Sequence, residues 1–379
     1  MTLSVTLCTD QTEWDELVDA AGGHPLQLWG WGELKSRYEW TADRLVVRDG
    51  DRIVGSAQVL HRKLPQPFRS LSYIPRGPQV QDEARRAEVL DALAVWVKRE
   101  RQPIALSIEP DWEAGYSPMP KGTDDEALAQ LQSQPAPQWL KDIAAKAFSP
   151  SENTGLIPRT LVVDCSQDDD ALMKGLGSSA RQNVRKSFKA ENVRFGLVET
   201  DEDLAQVLAI NNETARRAGF AVHSDDYHRG IRDLMGERSQ LIAAWEGDQV
   251  VAFVWLVVSA TTAFELYGGV NERGMKLRLN YGLKFHAMKH VREQGVSRYD
   301  FNGLLNDGIS DFKRQFAKHE NMLIGTWDRP LSPLYPAFAK ALPKVRTVLK
   351  KGVPQVKSAV KDPKGTFAKL RPNKSEQEK

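Results

Sequence analysis

The sequence predicts an α/β fold of mixed sheets, duplicated in tandem, and two observations carry that prediction. An order of elements (two β-rich runs around a tight turn, a third run, an amphipathic helix, a closing strand) occurs twice, at an offset of about 195 residues. The composition, 41% apolar and 27% charged, is that of a globular protein with a sizeable core. It excludes collagen-like, disulfide-stapled and wholly disordered chains. A length of 379 residues, at roughly 150 per domain, allows two or three domains.

In the first copy, residues 45–60 (LVVRDGDRIVGSAQVL) read as a hairpin turning at Asp49, Gly50 and Asp51. Residues 70–75 (SLSYIP) form the third run. A helix is expected over 83–101, with Val89, Leu90, Leu93, Trp96 and Val97 on one face. A strand at 103–110 closes the unit. The second copy repeats the order: a hairpin over 241–258 turning at Glu246, Gly247 and Asp248, a strand at 264–270, a helix over 277–294 and a strand at 297–302. Antiparallel hairpins beside a crossover give mixed sheets flanked by helices.

Charge is unevenly spread. Lys plus Arg total 52 and Asp plus Glu 50, a net +2. Residues 340–379 hold 12 basic and 3 acidic residues (+9), leaving 40 and 47 (−7) in the body. A basic tail on an acidic body points to a polyanionic partner, membrane surface or nucleic acid. From Leu342 onward Val345, Val348, Leu349, Val353 and Val356 alternate with Lys344, Arg346, Lys350, Lys351 and Lys357. That pattern suits either a short amphipathic helix on anionic lipid or a disordered arm.

Cys8 and Cys165 stand in no metal or redox motif and are expected as buried, reduced thiols. The first ten residues lack a basic region and a sustained apolar run, so no secretory signal is expected. The most apolar stretch, 250–258, has nine residues, far fewer than the roughly 20 that span a bilayer. A cytoplasmic protein is expected, with at most peripheral contact at the inner face of the membrane.

The duplicated layout resembles the acyltransferase fold of the Gcn5-related N-acetyltransferases (GNAT), in which two central strands splay around the acyl donor. Acetyl-CoA enzymes of that fold hold pyrophosphate in a glycine-rich loop at a helix N-terminus. Here Asn271-Glu272-Arg273-Gly274-Met275-Lys276-Leu277-Arg278-Leu279 lacks the second glycine, and Arg76-Gly77-Pro78-Gln79-Val80 fails likewise. Coenzyme A is therefore disfavoured, and no cofactor is expected.

Four stretches carry a closer resemblance. They are Leu28-Trp29-Gly30-Trp31-Gly32-Glu33-Leu34-Lys35 and Tyr73-Ile74-Pro75-Arg76-Gly77-Pro78, with Asp82 beyond. Ser179-Ala180-Arg181-Gln182-Asn183-Val184-Arg185-Lys186 follows. Last come Tyr299-Asp300-Phe301-Asn302-Gly303, Ile309-Ser310-Asp311-Phe312-Lys313-Arg314-Gln315-Phe316 and Gly325-Thr326-Trp327. From about residue 27 to 327 the chain resembles the FemABX family of non-ribosomal peptidyltransferases. Those enzymes move an amino acid from aminoacyl-tRNA onto the stem peptide of a peptidoglycan precursor. Some members insert a long helical pair in the second domain; residues 197–241 are too short for one, so the resemblance is to the arm-less members.

The resemblance implies attack of a primary amine on the ester carbon of aminoacyl-tRNA, a reaction that needs orientation and oxyanion stabilisation rather than a covalent intermediate. Lys313 is the implied catalytic residue, its compact ammonium suited to an oxyanion or a neighbouring phosphate. Phe312 would stack on the terminal adenine, a contact worth about 1–3 kcal/mol, although Phe312 and Phe316 also fit a plain core pair. Lys35, Arg76, Arg217, Tyr227 and Tyr267 are the candidates for the precursor, Lys35 and Arg217 for its diphosphate; surface Lys or Arg and buried Tyr need no such role. Asp82 either accepts the amine's proton or caps the helix starting at Glu83. Arg181, Arg185 and Lys186 form a basic helix face, a track for tRNA phosphates or a solvated surface. His286 and His290 have helical ligand spacing without HExxH or an acidic third ligand, so no metal is expected.

The expected organisation is a first domain over 1–150 for the precursor (lipid II or UDP-MurNAc-pentapeptide), a second over 151–335 for aminoacyl-tRNA, and a basic tail over 336–379. A monomer is the expected state. Two rival readings are an acyl-CoA-dependent N-acyltransferase of the same fold and a non-catalytic tRNA- or membrane-binding protein.

Overall fold

Two hairpins seed two sheets. Trp40–Asp49 and Arg52–Lys63 meet at Gly50 (φ 58°), and Ser239–Glu246 and Gln249–Val258 meet at Gly247 (φ 58°). A tight hairpin turn needs left-handed backbone, which glycine adopts without a side-chain penalty. Both hairpins carry a bulge at the same place before the turn, between Val47 and Arg48 and between Ala244 and Trp245. The duplication thus extends to local irregularities.

The computed structural model describes residues 3–219 and 221–341, and Met1–Phe338 cluster as one compact unit. The first sheet runs Ser4–Leu7, Trp40–Asp49, Arg52–Lys63, Ser70–Pro75, Ala105–Glu109, Trp327–Pro330, Ser149–Pro150. The second runs Val193–Leu197, Ser239–Glu246, Gln249–Val258, Thr262–Val270, Arg298–Asp300, Val162–Asp164. Each contains one parallel pair, Ser70–Pro75 with Ala105–Glu109 and Thr262–Val270 with Arg298–Asp300. The helices Arg86–Arg101 and Leu279–Glu293 supply the crossovers that parallel pairing requires. A three-stranded sheet of Met119–Pro120, His319–Met322 and Arg159–Thr160 joins segments from both halves.

The closing strands are exchanged. Beside Ala105–Glu109 lies Trp327–Pro330, from beyond the second copy, and beside Arg298–Asp300 lies Val162–Asp164, from between the copies.

Three large apolar clusters among the described residues hold the unit together, beside a small one of Ala114, Met119 and Met322. Val89, Leu90, Leu93 and Val97, the face expected from periodicity, are fully buried against the first sheet. One face of the second sheet packs on the helices Ser178–Ser187 and Leu279–Glu293. The third cluster mixes the halves, with Trp14, Leu26, Trp31 and Leu34 against Phe253, Trp255 and Phe264. Each such fully buried side chain contributes about 1.5–3 kcal/mol, so separating the halves would expose an aromatic core.

Two helices differ in detail from expectation. The first crossover opens as a 3-10 turn, Glu83–Arg85, before the α-helix begins at Arg86. The second divides into Glu272–Leu277 and Leu279–Glu293 because Arg278 is left-handed, with φ 62°. Among the described residues no helix is long and apolar enough to cross a membrane. The amphipathic stretch from Leu342 and the membrane contact read from it lie outside the described residues, as does Phe220.

Candidate functional site

The Trp-rich segment folds as the helix Trp29–Ser36, with Trp31 and Leu34 buried and Lys35 half-buried. The Lys35 ammonium donates to the Tyr227 hydroxyl at 2.7 Å and lies over the Trp31 and Tyr227 rings, 4.5 and 5.1 Å from their centroids. Its only hydrogen-bond partner among the described residues is that hydroxyl. Burial pushes its pKa down to about 8.

Tyr227 belongs to the helix Asp225–Met235, capped by Ser224. His223 stacks on its ring at 3.9 Å and Tyr38 packs at 5.0 Å. His228 links this group to Tyr267, ring centroids 4.9 Å apart. His228 Nδ1 contacts the Ser224 carbonyl at 2.8 Å, so Nδ1 carries the proton and Nε2 accepts from Asn211 at 3.3 Å. Burial holds both His223 and His228 below the usual histidine pKa, and it raises the Tyr227 and Tyr267 hydroxyls well above theirs. The wall around Lys35 is thus aromatic and neutral.

Tyr267 stands on Thr262–Val270 just past a bulge, where the register with Gln249–Val258 shifts between Trp255 and Leu256. Two residues back, the Glu265 carboxylate accepts from Lys284 at 2.5 Å and from the Tyr299 hydroxyl at 2.6 Å. Parallel pairing with Arg298–Asp300 stops at Phe264. Beyond that point main-chain pairing ceases, and the Asn302 side-chain amide takes over the Glu265 carbonyl.

Lys313 lies against the turn that follows this strand end. Its ammonium donates to the Asn302 carbonyl and, at 3.0 Å, to the Gly303 carbonyl. Both acceptors are left-handed, with φ 53° and 46°, which turns successive carbonyls toward one point. Asn302 is fixed by its side-chain amide donating to the Glu265 carbonyl (3.0 Å) and by its N–H donating to Asp300 Oδ1 (2.8 Å). An ammonium has three N–H donors; two are engaged, leaving the third for whatever enters. Burial lowers the Lys313 pKa against the pull of Glu265.

Asp300 is fully buried, and its Oδ2 finds no partner among the described residues. Burial pushes its carboxyl pKa up, opposed by Arg76. Arg76, at φ 51° and almost fully buried, donates to the Ile157 carbonyl at 3.2 Å. The adjoining Gly155 and Leu156 amides donate to Glu109 at 2.6 and 2.9 Å, and Glu109 also accepts from Thr326 and Tyr73. The segment between the halves is therefore pinned beside Arg76.

Of the residues singled out by sequence, Lys35, Tyr227 and Tyr267 belong to one aromatic cluster linked through His228, and Phe312 and Lys313 lie side by side in the helix Gly308–Lys313. Phe312 packs edge-on against Tyr281 (4.9 Å) and Phe316 (5.2 Å) and is half-buried. Arg76 joins the polar cluster around Asp300. Arg217 lies apart and exposed, 3.7 Å from Glu213 and donating to the Val270 carbonyl. Asp82 is exposed and caps the 3-10 turn, accepting from the Ala84 N–H at 3.0 Å. Arg185 and Lys186 are exposed on Ser178–Ser187, while Arg181 donates to the Leu176 carbonyl at 2.6 Å. Sequence reasoning missed His223, Asn302, Glu265 and Lys284; a histidine four residues before Tyr227 was the one local signal. Among the described residues no group of three or more His, Cys, Asp or Glu is placed to hold a metal ion.

Residues 9–245 match the model of the FemAB family, and residues 177–314 that of an acetyltransferase (GNAT) domain. A lipid II:glycine glycyltransferase of Staphylococcus saprophyticus is 26% identical over 418 aligned positions, covering 89% of this chain and 95% of its own. The same enzyme of Staphylococcus aureus is 25% identical over 85% of this chain and 92% of its own. The crystal structure of FemX superposes with a TM-score of 0.74 at 20% identity, covering 89% of this chain and all of that one.

Proposed function

The chain belongs to the FemAB family, and from that membership and the geometry above we propose that it transfers an amino acid from aminoacyl-tRNA to the stem-peptide amine of a peptidoglycan precursor. One observation carries the reading: the single strand Thr262–Val270 serves both an aromatic basin holding an uncompensated cation and the anchor of a second lysine. Tyr267 belongs to the basin, and Glu265 fixes Asn302 under Lys313.

In this reading Lys35, with Tyr227 and Tyr267 around it, holds the precursor's diphosphate, and the amine enters along the strand. Attack forms the C–N bond and breaks the ester C–O bond; the amine gives up a proton and the ribose hydroxyl leaves with one. The third N–H of Lys313 meets the oxyanion that forms in between, and Phe312 borders the RNA end. Arg76 keeps the first half, which takes the precursor, in register with the second. Arg217 assists the diphosphate from the rim, and Asp82 keeps its capping role unless its substitution slows transfer. The acceptor is the lipid-linked form, as the relatives' names say of those proteins; a cytoplasmic enzyme whose basic C-terminal stretch meets the anionic inner face would find it there.

The test mixes the full-length protein with labelled total aminoacyl-tRNA and either lipid II or UDP-MurNAc-pentapeptide, with and without RNase. RNase-sensitive transfer to lipid II supports the reading and names the amino acid. No transfer to either acceptor by folded protein would overturn it.

A further inference from the structure

The outer face of the second half gathers several cations on one helix and the turn that follows it. The helix Ser178–Ser187 contains no acidic residue, and its solvent stripe, at helical spacing, is Ser178, Gln182, Arg185, Lys186 and then Lys189. Among the described residues Arg185, Lys186 and Lys189 have no ion-pair partner, nor has exposed Lys174 on the preceding helix, whereas Arg273 pairs with Glu246 and Lys276 with Glu272. The one carboxylate facing Lys289, that of Asp169, is shared with Arg292. Unpaired cations on a body of net −7 mark a surface selected for polyanions.

An aromatic ring accompanies them. Phe188 is 47% exposed, held edge-on by Phe195 (5.4 Å) and Phe285 (6.2 Å). It borders a hollow of about 360 Å³ that Asp169, Asp170, Met173, Arg185, Phe285 and Lys289 also line, with Asp169 engaged by Lys289 and Arg292. Asp170 is not within ion-pair distance of Arg185. An exposed phenylalanine among lysines and arginines suits the ribose edges that an RNA duplex presents in its wide, shallow minor groove.

The stripe is also tied to the candidate centre. Gly177, which opens the helix, donates its N–H to the Gln315 carbonyl at 2.8 Å, and Gln315 follows Lys313 by two residues. Eight helical residues span about 12 Å, so the cations begin about that far from the Gly177–Gln315 contact, a reach that a few unpaired nucleotides cover. We infer that Arg185, Lys186 and Lys189, with Phe188, form the docking face for the helical stem of the donor RNA while its aminoacylated end reaches Lys313. This rests on the reading of aminoacyl-tRNA as donor and adds where its body lies. Contacts of this kind read phosphate rather than sequence, so the face would accept any tRNA stem.

The experiment measures binding of deacylated total tRNA to the full-length protein by fluorescence anisotropy at several salt concentrations. It compares wild type with Arg185→Gln/Lys186→Gln/Lys189→Gln, and with Lys63→Gln/Lys98→Gln/Lys141→Gln as a charge-matched control on the first half. The stripe variant should bind at least tenfold more weakly, with the slope of log affinity against log salt reduced by about 2–3, since each duplex phosphate contact contributes about 0.9. The control should bind as wild type does. Equal affinity and slope for the stripe variant would overturn the docking face while leaving the donor reading in place. No tRNA binding by wild type would instead overturn the donor reading. Loss of sedimentation with anionic vesicles but not of tRNA binding would assign the stripe to the membrane and overturn the inference.

Discussion

The Lys35 ammonium donates to the Tyr227 hydroxyl at 2.7 Å, across 192 residues of sequence. A phenol is a weak counterpart for a full positive charge, and the rings around it offer only their faces. A lysine kept this way inside a protein is one whose charge is completed by something that arrives. Its pKa, lowered to about 8 by burial, is the physical signature of that incompleteness.

Acceptor binding should therefore depend on pH through Lys35. The protonated form binds the diphosphate, so the apparent KM for the acceptor should be flat below about pH 8 and climb towards tenfold per pH unit above it. Lys35→Met should raise that KM by about 10–100-fold with kcat little changed, as expected for loss of a charge-assisted hydrogen bond of about 1.5–3 kcal/mol. Initial rates against acceptor concentration between pH 6 and 9.5 check both statements.

The same substitution should stabilise the unliganded protein. The buried charge costs stability in full below about pH 8, and the cost fades as pH rises towards the unfolded value. Lys35→Met should gain about 1–3 kcal/mol at pH 7 and almost nothing near pH 10.5. Urea denaturation at the two pH values measures the difference.

Lys313→Ala should lower kcat about 10²–10³-fold, the usual consequence of removing one donor from an oxyanion, while the far-ultraviolet spectrum stays unchanged. Lys313→Arg should not rescue it, because a planar guanidinium cannot point two donors at successive carbonyls and keep a third for the oxyanion. Single-turnover rates with saturating substrates would isolate this step from binding.

Asn302 is left-handed, a region open to Asn and Gly but closed to β-branched residues. Asn302→Gly should keep most of kcat and lose about 1 kcal/mol with its side-chain hydrogen bond. Asn302→Val should cost about 1–3 kcal/mol in stability and lower kcat further, since the carbonyls would turn away from Lys313. Thermal melts and kcat measured on the same preparations separate the two effects.

Far from the candidate site, His61 joins Ser72 (Nδ1–Oγ 2.8 Å) and Asp43 (Nε2–Oδ2 2.9 Å) across three neighbouring strands, and Arg101 grips Asp43 from outside. Burial pushes the Asp43 carboxyl up, but the hydrogen bonds from His61 and Arg101 outweigh it and hold it at about 2. A depressed carboxyl gives stability that is present above its unfolded value and lost as pH falls through the folded one. Asp43→Asn should cost about 2–4 kcal/mol at pH 7 and progressively less between pH 4 and 2. Denaturation midpoints across that range decide it.

What the sequence made legible was local. The turn glycines Gly50 and Gly247 sit between alternating runs, and Val89, Leu90, Leu93 and Val97 repeat at helical spacing, so each element could be placed from its own residues. The helix Trp29–Ser36 escaped because two glycines and two tryptophans in eight residues show no helical preference; burial of Trp31 and Leu34 makes it. The strands Met119–Pro120 and Arg159–Thr160 escaped because two residues carry no period, and their partner, His319–Met322, is far along the chain. At the site, charged Lys313 and Lys35 stood out through resemblance. Asn302 was given no role of its own within its motif, because its work is done by a main-chain carbonyl that any residue possesses. Glu265 and Lys284 are paired in the interior by strand and helix packing, which no spacing rule anticipates.

The exchange of closing strands sets the order in which the chain can mature on the ribosome. When residues up to 150 have emerged, the sheet they build still lacks Trp327–Pro330, which is to lie between Ala105–Glu109 and Ser149–Pro150. Its edge stays open, and neighbouring nascent chains can pair with it, until the last tenth or so of the protein has been translated. The half that begins first is therefore finished last. A gene split after Asp164 and before the second hairpin would yield two fragments that each withhold a strand the other needs, Val162–Asp164 in one and Trp327–Pro330 in the other, so they should become soluble only when produced together.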